Sequence, residues 1–184
     1  MAMILGIGNT LLRDEGIGIH LLDYIKSRYP EWQSDYGVEM VDGGTLSFDL
    51  LTNIRADQAL IVLDAMNLKQ SPGTVYCLQA QAMDDFLSQP GKTVHEVSLL
   101  DLFDMSRLSE QLPKKRALIG VQPNCIDWGS HLSQNVQAAL PGATVQVKQL
   151  LAQWGVFDKS SHQNEQPHLD LRHGNRRQTV DRRH

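Results

Sequence analysis

The run ALIVLD at residues 59–64 sets five apolar side chains in a row before its first charge. A strand with one face in water alternates apolar and polar residues, whereas a strand covered on both faces reads as a continuous apolar run. MILGI at 3–7 and RALIGV at 116–121 read in the same way, and GVEMVD at 37–42 and GTVYCL at 73–78 supply two more strand-like runs. Such strands need helices on both sides. Residues 16–29 place Ile17, Leu21, Tyr24 and Ile25 on one helical stripe, and 47–55 and 98–108 also read as helical. The second of these opens on Ser98 with Asp101 three positions on, in the manner of a capping box. A last helical region, 132–153, is expected to break at Pro141 and Gly142, with Pro141 starting a second helix where its missing N–H costs nothing. Pro30 and Gly155 act as stops. The alternation predicts an α/β fold, a three-layer sandwich with a mostly parallel central sheet of about five strands.

The 184 residues suit one domain with a tail. Residues 1–158 hold 11 Lys and Arg against 18 Asp and Glu, while 159–184 hold 6 against 3 and four of the seven histidines. The second segment is polar and has too few large apolar residues to offset the entropy of ordering, so it is expected to be a disordered tail. Its histidines are irregularly spaced, as in a solvated tail rather than a metal site. The acidic body argues against a nucleic-acid partner. No run reaches the roughly 20 apolar residues of a membrane span, and no signal-peptide pattern opens the chain. Cys77 and Cys125 are far apart and form no CxxC. They read as reduced, buried thiols, and the chain as a cytoplasmic monomer.

In sheets of this kind the working crevice lies outside the carboxyl ends of the strands. Glu15 follows the first strand, Asp42 ends the second in VDGGT, Asp64 ends ALIVLD, and His95 in GKTVHEVS precedes the helix expected from Ser98. Topology therefore sends residues distant in sequence to one edge. Each also has a plainer reading as a cap, a turn residue or an ordinary surface group, and Glu15 would be favourable near a helix N-terminus in any case. The opening segment, LGIGNTLLRDEGIG, is not a dinucleotide loop. Leu11 stands where GxGxxG needs its third glycine, and Asp14 and Glu15 would repel a pyrophosphate. Carboxylates there suit a cation, and Gly6 and Gly8 turn the chain or let helix and strand approach closely.

LGIGNTLLRDEGIG, VDGGT, ALIVLDAM, PGTV, VHEVSLLDLF, ALIGVQP, LSQNVQAAL and LLAQWG occur in that order between Met3 and about Gly155. This combination resembles the hydrogenase maturation proteases, endopeptidases that remove a C-terminal extension from the large-subunit precursor of nickel-iron hydrogenases. The resemblance implies that Glu15, Asp64 and His95 form a catalytic, metal-binding trio in a protease of the aspartyl type. It implies that Asp42, Gly43, Gly44 and Thr45 take part in recognising the precursor. It implies that nickel arrives with the substrate, is held weakly by the free protein, and reports that the precursor's metal centre is complete. Two positions depart from the usual pattern. Thr93 stands for a serine two residues before the histidine, and Arg13 for a neutral residue ahead of the acidic pair.

Two carboxylates and an imidazole suit nickel, zinc or cadmium without enclosing any of them, and three ligands leave positions open. A metal held there would polarise the scissile carbonyl or activate water. Glu15 and Asp64 acting as an acid and base pair on water is the competing mechanism, although the Asp-Thr-Gly signature of aspartic proteases is missing. A third alternative is a metal-sensing chaperone that grips the immature large subunit without cutting it.

Overall fold

The computed structural model describes residues 1–46, 48–89 and 94–158, without the side chains of 48, 49 and 94–98. The expected tail at 159–184, Thr93 and the side chain of His95 lie outside this description. The five strands are β1 (Ala2–Gly6), β2 (Val38–Asp42), β3 (Ala59–Ala65), β4 (Val75–Gln79) and β5 (Arg116–Val121), in one sheet of order β2-β1-β3-β5-β4. All neighbours are parallel except β4, which runs antiparallel to β5 along the edge. The continuously apolar runs take the middle: every residue of β1 and β3 is buried, as are Ala117 to Val121 of β5. The less apolar β2 and β4 form the borders, where partial exposure costs least.

Pleating divides the central side chains between two cores. Ala2, Ile4, Ile61, Leu63 and Ile119 face a layer built by α1 (Ile17–Arg28), the short α2 (Glu31–Ser34) and α5 (Gln134–Gln153). Met3, Leu5, Leu60, Val62 and Leu118 face α3 (Ala80–Leu87) and α4 (Val94–Leu108). The three-layer sandwich follows. Each fully buried Leu or Ile in it contributes about 1.5–3 kcal/mol relative to exposure.

Three helical expectations need correction. The backbone of α4 is already helical at Val94, so Ser98 lies inside the helix rather than capping it, and His95 belongs to its first turn. The helix expected at 47–55 is a 3-10 helix, Phe48–Asn53. The break expected at Pro141 does not occur: α5 runs unbroken, because Val136, Leu140, Ala143, Val147 and Leu151 keep a continuous buried face. Pro141 and Gln137 lie on the exposed side, where water can satisfy the carbonyl that a proline leaves without its helical donor.

Both free cysteines are half-buried rather than fully buried. Burial pushes the Cys77 thiol above its ordinary pKa, which keeps it protonated and unreactive. No helix among the described residues is long and apolar enough to cross a membrane.

Candidate active site

The carboxyl ends of β1, β2 and β3 lie side by side, with Gly6 registered against Asp42 on one flank and Leu63 on the other. From that edge the chain leaves β1 through a loop and a 3-10 turn, Arg13–Gly16, before entering α1. Glycines let these pieces touch. A Cβ on Gly18 would overlap the backbone carbonyl oxygens of Leu63 and Ile7, and one on Gly6 would lie 2.7 Å from the Gly18 oxygen. The start of α1 therefore rests directly on the ends of β1 and β3. Gly8, at φ +136°, leaves no room for a Cβ beside the Glu15 carbonyl. The closely spaced glycines serve close packing, one of the two roles expected of Gly6 and Gly8.

Glu15 sits half-buried on the 3-10 turn, and its carboxylate accepts the Asn9 amide, closing the loop on itself. The same turn packs against β3. Asp64, the penultimate residue of that strand, is only 2 % exposed and accepts the Ala65 amide at 2.7 Å. In register beside it, Gly120 leaves space that the buried Met66 side chain fills. Glu15 and Asp64 thus occupy adjoining parts of one sheet edge. A buried carboxylate is costly unless it is paired, hydrogen-bonded or bound to a cation.

The Asp42 to Thr45 loop joins the same edge. Asp42 accepts the Gly44 amide at 2.9 Å, Gly43 donates to the Gly6 carbonyl at 2.8 Å, and Gly8 donates to the Gly44 carbonyl at 2.8 Å. Asp42 and Thr45 are exposed. Of His95, the structure describes only the backbone, in the first turn of α4. That helix packs against the Phe48–Asn53 turn that follows the Asp42 loop. Among the described residues no three His, Cys, Asp or Glu side chains gather closely enough to hold a metal ion. Clefts of about 230 Å³ beside Met1 and Trp154, and about 290 Å³ beside His20 and His131, are lined by none of Glu15, Asp42 and Asp64.

Three adjacent charges that the sequence presents together have separate places. Arg13, at φ +49°, is exposed and directs its Nε toward the Trp128 carbonyl at 3.4 Å. Asp14 is fully buried, and its carboxylate accepts the amides of Asn124 and Cys125, both at 2.9 Å, the Ser133 amide at 2.6 Å and the Ser133 hydroxyl at 2.7 Å. Burial alone would raise its pKa, but the combined hydrogen bonds from Ser133, Cys125 and Asn124 outweigh it and hold the carboxyl below its ordinary value. Asp14 therefore does not serve the cation site that the acidic pair implied; only Glu15 remains for it. Sequence reasoning missed this clamp because its donors lie 110 to 119 residues away.

The segment it holds runs beside the loop, with Leu12 bridged to Gly129 and Leu11, Ile126 and Trp128 exposed nearby.

The family described as HycI, hydrogenase maturation protease, matches residues 19–150. The hydrogenase expression/formation protein HoxM of Cupriavidus necator is 31 % identical over 156 residues, covering 84 % of this chain and 76 % of that one. The hydrogenase 2 maturation protease of Escherichia coli K12 is 33 % identical over 155 residues, covering 84 % and 92 %. Among solved structures, the hydrogenase maturating endopeptidase HybD from E. coli superposes with a TM-score of 0.74 at 30 % identity, covering 84 % of this chain and 94 % of that one.

Proposed function

The chain belongs to the hydrogenase maturation protease family and is an endopeptidase of hydrogenase large-subunit processing, and from that premise we propose that it cuts the C-terminal extension from a nickel-loaded large-subunit precursor. In this reading Glu15, Asp64 and His95 meet the precursor's nickel, which the free protein binds weakly, and the Asp42, Gly43, Gly44 and Thr45 loop recognises the precursor beside it. The observation that carries the proposal is the buried Asp64 carboxylate at the end of β3, against which the turn bearing Glu15 packs.

The donor chemistry fits. Two carboxylates and an imidazole are hard and borderline ligands that accept nickel, and a site of three protein ligands leaves positions for the metal's own ligands in the precursor. Nickel so held would polarise the carbonyl to be cut or lower the pKa of an attacking water. The protein's part is to fix the ligands. Glu15 is oriented by the Asn9 amide and Asp64 by the Ala65 amide, so both carboxylates enter the reaction with their rotamers already restricted.

Purified protein incubated with nickel-loaded and nickel-free precursor, followed by intact-mass measurement of the large subunit, tests this. A shortened large subunit with nickel and none without it is expected. Binding without cutting would identify a metal-sensing chaperone, and equal cutting of both precursors would remove nickel from recognition.

A further inference from the structure

We infer that Asp14 is a positioning residue for Glu15, locking the catalytic turn to the 124–133 segment so that the Glu15 carboxylate is held in place; this rests on the role proposed above for Glu15. The two residues are adjacent on one 3-10 turn, so whatever fixes the Asp14 carboxylate also fixes the backbone from which Glu15 projects. Four donors converge on it, from both ends of the 124–133 segment. An ionised carboxylate accepts at every lone pair and donates nothing, whereas an asparagine in its place would turn an NH2 group toward N–H donors. The arrangement needs the charge.

Ser133 shows what the clamp takes from the surrounding structure. It stands at the N-cap of the 20-residue α5 with extended backbone, the position where a serine hydroxyl ordinarily accepts an amide of the first helical turn. No such bond forms, and the hydroxyl donates to Asp14 instead. A local rule is broken in favour of a long-range contact beside the site, where such departures concentrate. The backbone adds further ties: Asp14 donates to the Cys125 carbonyl at 3.3 Å, Arg13 to Gly129 at 2.8 Å, and Gly129 to Leu11 at 2.9 Å. Metal ligands and reacting groups tolerate only about 0.5 Å of misplacement, and a turn of four residues cannot supply that rigidity alone.

The test uses Asp14→Asn and Ser133→Ala in the full chain, with nickel-loaded precursor as substrate. Glu15→Gln serves as the benchmark and Asp84→Asn as a control at the opposite edge of the sheet. For Asp14→Asn, kcat is expected to fall at least 30-fold with KM rising in the same direction as in Glu15→Gln, and for Ser133→Ala, which removes one side-chain donor, kcat is expected to fall about three- to tenfold. The amide of Asn9, which donates to Glu15, gives a second readout that a general loss of stability would not move: its proton resonance shifts upfield in both variants and stays in place in Asp84→Asn. An unchanged kcat, a rise in KM alone, or an Asn9 resonance that does not move in folded Ser133→Ala overturns the inference. Full activity in Glu15→Gln would instead overturn the role of Glu15, and with it the need to position that residue.

Discussion

Replacing Gly8 by alanine isolates the reason for the glycines in the opening loop. Two costs add. At φ +136° an L-residue is strained by roughly 1–3 kcal/mol. The new Cβ would also overlap the Glu15 carbonyl oxygen and stand 3.0 Å from the Gly16 Cα. Both neighbours are backbone, so neither can swing aside, and overpacking of that kind costs a further 1–3 kcal/mol or so. The expected total is about 2–6 kcal/mol, out of a stability on the order of 5–15 kcal/mol. Gly44 is the comparison. It too has a left-handed backbone, at φ +51°, but a Cβ there meets nothing within 4 Å. Gly44→Ala should lose only the conformational part, about 1–2 kcal/mol. Urea unfolding followed by tryptophan fluorescence measures both. With a slope of about 2 kcal/mol/M, Gly8→Ala should lower the midpoint by about 1–3 M and Gly44→Ala by under about 1 M. Equal losses in the two variants would refute the argument from close approach, leaving backbone strain as the whole effect.

Other consequences can be checked separately. Asp84 forms a nearly buried two-pronged bridge to Arg116, with N–O distances of 3.1 and 2.5 Å and side chains 14 % and 12 % exposed. Asp84→Ala leaves that guanidinium uncompensated and should cost about 3 kcal/mol in denaturant unfolding, with cleavage per folded molecule unchanged. His20 has its pKa lowered chiefly by burial, with His131 acting the same way and Asp23 and Asp14 opposing, and its Nε2 has no hydrogen-bond partner among the described residues. The unfolded chain then binds the proton more readily, so this contribution to stability is complete above about pH 6.5 and is lost as the pH falls toward the folded pKa. His20→Leu should flatten the fall in melting temperature between pH 7.5 and 5.5; an unchanged slope would assign it to other groups. Asp64→Asn and Glu15→Gln should each reduce cleavage about 100-fold or more, with precursor binding weakened in parallel. Intact nickel-dependent binding beside lost cleavage would favour an acid and base pair over metal-assisted chemistry.

The sheet was legible because each strand carries its own burial pattern. ALIVLD and ALIGV announce strands covered on both faces, and they are the centre of the sheet. The helices were less legible where their signals are tertiary. Pro141 reads locally as a break, yet the buried stripe from Val136 to Leu151 holds α5 together across it. α3 went unread because it begins at Ala80 immediately after β4, with no capping side chain and no breaker between them. α4 begins four residues before the capping pattern at Ser98.

The edge that gathers Glu15, Asp42 and Asp64 could be read from strand ends alone, since a parallel sheet sends all its carboxyl termini one way. What each charge does there could not. Asp14 and Glu15 are neighbours of nearly identical chemistry, and no property of the pair distinguishes the buried clamp from the half-buried residue beside it. The distinction is made by Asn124, Cys125 and Ser133, which the fold alone brings to Asp14. This division of labour has a physical reason. Asp64 is held by burial within β3, whereas Glu15 stands on a short 3-10 turn that belongs to no strand and needs another anchor. Burying Asp14 against four hydrogen bonds ties that turn to the 124–133 segment while Glu15 stays half-buried at the sheet edge, so of two adjacent acidic residues one serves as the anchor and the other is left for the role proposed above.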